Sequence, residues 1–295
     1  MSRETEKVFK ELHKAMDAQE FENEEHVNEF MKNFMDEYNS KVHMNSKLDS
    51  YDYLRMADEA DSAQEAIKYA QKALKMDKFC LEADMILAQA KAGSAEEYKK
   101  NLQKVIQKGE KQLIELGIDK QEEAGHFYSL FETRPYMRAR KTYLELLLEM
   151  GMFRSAIKEA EELLYLNEND NLGVRYSLMA LYCYFEDENK AIELYQKYKS
   201  DGAFMLLPII ALYYKMENYK KMRSYILKLK KSIPDLAEGL EIIMSGDEEE
   251  LSQYVFLEMY RPFSIEEVVL AFSEASYLYS TMHHFLIRLY EEVVK

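Results

Sequence analysis

Nine glycines and four prolines are few for 295 residues, since the pair averages about 12% of a chain. Sandwiches, barrels and Gly-rich nucleotide loops all need many such turn residues, so the shortage argues against them. No proline precedes Pro135. Two cysteines, Cys80 and Cys183, cannot form a disulfide framework. Both lie in apolar helical stretches and are expected to be buried free thiols in a reducing compartment. No apolar run approaches the ~18 residues needed to span a bilayer; the longest is Ala203–Tyr214. The opening MSRETEKVFKEL lacks the apolar core of a signal peptide. Basic residues are outnumbered, 39 Lys and Arg against 54 Asp and Glu, for a net charge of −15. That field repels phosphate backbones and anionic lipid. The expectation is a cytoplasmic protein with no nucleic-acid and no membrane partner.

What is present is apolar residues at helical spacing. Residues 1–46 form an acidic arm with two amphipathic pieces. Val8, Phe9, Leu12 and Met16 share one helical face, as do Val27, Phe30, Met31, Phe34 and Tyr38. The polar QEFENEEH between them predicts a bend. The arm either docks on the body or serves as a handle for homo-oligomer assembly.

Residues 47–245 read as paired helices that repeat. Ala66, Tyr98, Ala156, Ala191 and Met222 occupy one register position early in a second helix. Their spacings include 32, 35 and 31 residues. Four residues on come Ala70, Leu102, Ala160, Tyr195 and Ile226; three further come Ala73, Val105, Leu163, Tyr198 and Leu229. This stripe buries a helix against its partner and the next repeat. The period resembles that of the tetratricopeptide repeat, nominally about 34 residues. The fold expectation is all-α: a right-handed tetratricopeptide-like solenoid with a capping C-terminal region, 246–295. A long helix over 96–116 and a second over 120–132 are expected to interrupt the array. Ser264 with Glu267 forms a capping-box pattern, and Ser245 or Asp247 can open another helix. A last helix is expected over Ser273–Val294.

Two segments go beyond a generic repeat. Residues 122–140 read EEAGHFYSLFETRPYMRAR, and residues 166–182 read LNENDNLGVRYSLMALY. They resemble a group of bacterial tetratricopeptide proteins related to the eukaryotic suppression-of-tumorigenicity family. The matching residues are Gly125-His126-Phe127-Tyr128, Glu132 to Arg140, Asn169-Asp170-Asn171, Gly173, Arg175 and Tyr176. The likeness covers roughly residues 50–270. It departs at Glu168, where the group has Pro, and at Tyr128, where it has Trp. The resemblance implies a repeat scaffold and no catalysed reaction.

Within these segments Thr133 can cap a helix, and Pro135 is tolerated in its first turn. Arg134 and Arg138 share a face, four residues apart, and repel mildly unless carboxylates lie between them. Asp170 and Asn171 can cap the next helix. One reading is a buried network in which Asp170 pairs with Arg134 or Arg138, and Glu132 with Arg175. The other is an anion- or partner-binding cleft built from Arg134, Arg138, Arg140 and Arg175, with Tyr136 and Tyr176 beside it. Guanidinium suits either, because its donors form a planar fork.

No catalytic residue stands out. His126 lacks a Ser or Cys nucleophile in a recognisable setting. His283 and His284 are adjacent and point apart on a helix, without HExxH spacing. No P-loop or GxGxxG is present, so no cofactor or metal is expected. The expected function is a non-catalytic scaffold for a protein or peptide. The alternatives are an enzyme or small-anion binder at the 126–140 cluster, and an oligomeric structural component.

Overall fold

The computed structural model describes residues 3–42, 48–255 and 259–295. It is all-helical, with 75% helix and seventeen α-helices and no strand among the described residues. Among the described residues no helix is long and apolar enough to cross a membrane. The chain divides into two compact units, Met1–Gly151 with Tyr165–Asn169, and Met152–Leu164 with Asp170–Lys295. The acidic arm belongs to the first unit and the 246–295 segment to the second.

The first unit holds α1 (Arg3–Asp17), α2 (Glu24–Val42), α3 (Ser50–Asp58), α4 (Ala63–Met76), α5 (Leu81–Ala90), α6 (Ala95–Glu115) and α7 (Arg134–Glu149). Short polar side chains start its helices. Asp49 accepts from the Asp52 amide at 3.0 Å, and Asp52 returns the bond by accepting from the Asp49 amide at 2.9 Å. Ser62 caps α4 and Ser94 caps α6, each accepting from the amide three residues on. These bonds satisfy donors that the helix leaves orphaned. The predicted stripe is buried at Ala70, Ala73, Leu102 and Val105, which join Leu54, Ala83 and Leu87 in the core, while Ala66 and Tyr98 are half-buried. Cys80 is a buried free thiol, as its apolar setting predicts. Gly109 marks the closest approach. A Cβ there would stand 2.8 Å from Leu81 Cδ1 and 2.9 Å from Tyr136 Cδ2. Glycine in a helix interior costs about 1 kcal/mol against alanine, and here the room it leaves lets α5, α6 and α7 meet.

Residues 120–132 do not form the expected helix. After α6 the chain turns at Gly117 and adopts φ +85° at Gly125. Gly125 donates to the Tyr165 carbonyl at 2.9 Å and accepts from the Glu168 amide at 3.0 Å. Its backbone groups are thus satisfied by a segment forty residues away rather than by a helical ladder. Two single 3-10 turns, Phe127–Ser129 and Phe131–Thr133, then lead into α7.

α8 (Phe153–Leu166) runs through the boundary between the units. The second unit continues with α9 (Val174–Tyr184), α10 (Glu188–Tyr198), α11 (Ala203–Lys215), α12 (Tyr219–Ser232), α13 (Leu236–Ser245), α14 (Glu248–Val255), α15 (Ile265–Glu274), α16 (Ser276–Tyr279) and α17 (Phe285–Val294). One turn design recurs in it. Glu186 and Glu217 adopt φ +60° and +53°. The next amides, Asp187 and Asn218, each donate back to Tyr182 and Tyr213 carbonyls at 2.9 Å. Then the Asp187 and Asn218 side chains cap α10 and α12. Five residues after each left-handed residue stands a buried stripe position, Ala191 or Met222. Gly151, at φ +68°, stands in the same relation to the fully buried Ala156. The repeat is therefore written in backbone conformation as well as in apolar spacing.

Every residue of α11 from Ala203 to Tyr213 is buried. α15 packs on α11 and α13, α16 on α9, and α17 on α12 and α13. Asp247 caps α14 and Ser264 caps α15. The single last helix expected over Ser273–Val294 is instead broken twice, at Ala275 between α15 and α16 and again between α16 and α17. Ser280, Thr281, His283 and His284 are modest helix formers, and turn bonds from Met282 to Tyr279 and from Phe285 to Met282 take over. Leu278, Phe285, Leu289 and Val293 are nonetheless buried.

Candidate functional site

In the first unit the Arg-rich segment is held between helices. The Pro135 ring sits in the first turn of α7. The Thr133 hydroxyl does not cap that helix; it donates back to the Phe127 and Leu130 carbonyls and ties down the two 3-10 turns. Arg134 and Arg138 project from the same side of α7 and meet a carboxylate from α1. Arg138 Nη1 donates to both oxygens of Glu6, at 2.9 and 3.0 Å. Its Nε donates to Glu82 of α5 at 3.2 Å, and Nη2 bonds the same oxygen. Arg134 donates to Glu6 at 3.4 Å and to the Tyr128 carbonyl at 3.0 Å, with its guanidinium over the Phe131 ring.

The two arginines thus have the interposed carboxylates that their spacing demanded, but these are Glu6 and Glu82. Glu132 and Asp170 were the expected partners. Glu6 and Glu82 are 6% and 7% exposed, so the charges meet away from water. Burial works to lower the Arg138 pKa, and Glu82 and Glu6 more than offset it, holding the group charged. Tyr51 of α3 borders the same cluster. Burial, with Glu82 and Glu6 nearby, pushes its hydroxyl up to about 12.

Tyr136 and Arg140 face the other way and are buried at 1% and 7% exposure. The Tyr136 hydroxyl donates to Glu110 at 3.1 Å, and Arg140 Nη1 donates to that hydroxyl at 3.4 Å. Lys120 also donates to Glu110, at 2.6 Å. Burial acts to raise the Glu110 carboxyl, but the bonds from Lys120 and Tyr136 bring it below its ordinary range.

Arg175 and Tyr176 lie in the second unit. Asp170, at φ +48°, accepts from the Val174 amide at 2.7 Å, the Arg175 amide at 3.0 Å and Arg175 Nη1 at 2.9 Å. It thereby caps α9 and pairs with Arg175, where Glu132 was the expected partner. Burial lifts the Asp170 carboxyl above its usual range, against the donors around it. Arg175 Nη2 donates to the Tyr176 hydroxyl at 2.6 Å. Asn171 is exposed and leaves the cap to Asp170.

A cleft of about 340 Å³ opens on the first unit between α5 and α7. Met85, Ile86 and Gln89 line one wall, Lys141 and Thr142 the other, with Tyr98 of α6 nearby. Arg138 and Glu82 close one end. Sequence reasoning found Arg138 but neither the cleft nor Glu82. The i, i+3, i+4, i+7 run Glu82, Met85, Ile86, Gln89 was the available signal. A broader groove of about 630 Å³ lies on the second unit among α10, α11 and α12. Its central carboxylate, Glu188, is engaged by Tyr213 at 2.9 Å and Lys221 at 2.6 Å.

His126 is exposed. Burial pushes the Cys80 thiol up to about 12 and the Cys183 thiol up as well, the reverse of an activated nucleophile. Among the described residues no group of three or more His, Cys, Asp or Glu could hold a metal ion. No protein-family model matches the chain, and no curated protein matches it.

Proposed function

We propose that the chain is a non-catalytic scaffold of tetratricopeptide-like helical hairpins, stacked as a right-handed solenoid, that binds a protein or peptide. The α5–α7 cleft carries the reading. It sets an apolar strip, Met85 and Ile86, beside amide, hydroxyl and ammonium groups within reach of one peptide segment. Such mixed lining suits a chain of alternating side chains better than one small molecule. The recurring turn at Glu186 and Glu217 and the buried stripe support the repeat assignment. The resemblance of residues 122–140 and 166–182 to the suppression-of-tumorigenicity-like group favours the same reading.

The rival anion site at 126–140 is less well supported. Arg138 already directs its fork at Glu6 and Glu82, so a free anion would have to displace a carboxylate. A photo-crosslinking residue at Gln89 or Thr142, installed in the full chain in its native cytoplasm, tests the proposal. One dominant partner should be captured, and Lys141→Glu should abolish its capture. Capture no greater than from a crosslinker at the exposed Ile114 would defeat the scaffold reading.

A further inference from the structure

α1 is not built like a core helix. Its sequence, RETEKVFKELHKAMD, is mostly charged, with Val8 and Met16 half-buried and Lys7 paired to Asp49 beside the residues that face the body. Glu6 is buried against Arg134 and Arg138. Three residues on, Phe9 stacks parallel on Phe131 with ring centres 6.1 Å apart. Three further, Leu12 is 7% exposed, and His13 beside it meets the edge of Phe131 at 5.2 Å. Phe9 itself is 37% exposed. Its ring covers Phe131 without being enclosed. A charged anchor, an aromatic anchor and an aliphatic anchor along one side of an amphipathic helix is the pattern of a helical ligand in a groove.

The receptor side is equally defined. Arg134 and Arg138 hold Glu6, Phe131 meets Phe9, and Arg138 also lines the α5–α7 cleft. Without Glu6, Arg138 would keep only Glu82 of its two carboxylates, and the Nη1 donor that serves both Glu6 oxygens would lose its acceptor. Local charge complementarity therefore calls for a carboxylate at the place Glu6 holds in any helix that replaces α1.

We propose that α1 is a built-in occupant of a helix-binding surface on the first unit. The partner that displaces it carries an amphipathic helix with the same Glu-x-x-Phe-x-x-Leu anchors. This rests on the scaffold reading and specifies its ligand and its regulation. A tethered occupant competes at high effective concentration. If α1 is open for roughly 1–10% of the time, a partner's apparent affinity is lowered roughly ten- to a hundred-fold.

A fluorescein-labelled peptide of residues 3–18, titrated into the full chain and followed by anisotropy, tests this. The peptide should bind the Glu6→Gln/Phe9→Ala chain roughly ten- to a hundred-fold more tightly than the wild type. Adding Phe131→Ala to that chain should remove the binding. Equal affinity for both chains, or no saturable binding to the loosened chain, overturns the proposal. Amide exchange on the unaltered chain gives a second reading that needs no variant. The amides of 6–16 should exchange well before those of 137–148, since α1 opens while α7 stays closed. Exchange of both segments at one rate makes α1 a fixed part of the core and also overturns the proposal. Dimerisation of the wild type that the peptide reverses would assign the surface to a second copy, against the partner claimed here. Capture at Gln89 with no competition from the peptide would leave the scaffold standing and remove only α1 from the account.

Discussion

Two residues show how much a single backbone position carries. Glu217 sits in the left-handed region at φ +53°, where a side chain costs roughly 1–2 kcal/mol. Gly151 occupies the matching turn without that cost, and a Cβ there would meet nothing within 4 Å. Glu217→Gly should therefore raise stability by roughly 1 kcal/mol, and Gly151→Ala should lower it by a similar amount. Denaturant midpoints check both, and a destabilised Glu217→Gly chain would refute the strain argument. Asp170 is the opposite case. It is 4% exposed and serves two amides and one guanidinium at once. Asp170→Ala should cost about 3–5 kcal/mol, because Arg175 is left without its counter-charge. Asp170→Asn, which tolerates the same φ and still accepts, should cost clearly less. Equal losses in urea melts would assign the effect to packing rather than to charge and cap.

At the scale of the element, α17 is fastened to α12 by the Glu292 carboxylate and by the Val293 carbonyl, which accepts from Lys230. Glu292 accepts from Arg223 Nε at 2.8 Å and is ion-paired with Arg288 at 2.9 Å. The bond from Arg223 leads in drawing its pKa down to about 2. A carboxyl depressed from about 4.3 in the unfolded chain stabilises the fold above that value. The contribution is lost as pH falls from about 5 toward 2. Glu292→Gln should lower the melting temperature at pH 7, with the difference from wild type closing over that acid range. Because Arg223 is half exposed, salt should shrink the effect. A difference that persists unchanged at pH 2 would rule out the ionic origin. The elements also show what local pattern reveals. α6 and the stripes of α4, α10 and α12 were legible because cap, period and turn all lie within a few residues. The helix expected over 120–132 failed because the Gly125 backbone bonds to residues 165 and 168, which no local window contains. The Arg134–Arg138 pair announced a need for carboxylates through its own spacing. It could not announce Glu6 and Glu82, which lie 132 and 56 residues from Arg138.

For the molecule as a whole, most packing joins helices that are close in sequence, whereas the Glu6–Arg138 bond joins residues 132 apart. A chain made from its N-terminus therefore completes α1 long before α7 exists. At about 5–20 residues per second of synthesis, the interval is roughly 7–26 s. A helix of fifteen residues is marginal in water on its own. During that interval the Glu6, Phe9 and Leu12 stripe has no groove from its own chain. The nascent arm is thus first offered to whatever else is near the ribosome, and only afterwards to the body it will cover.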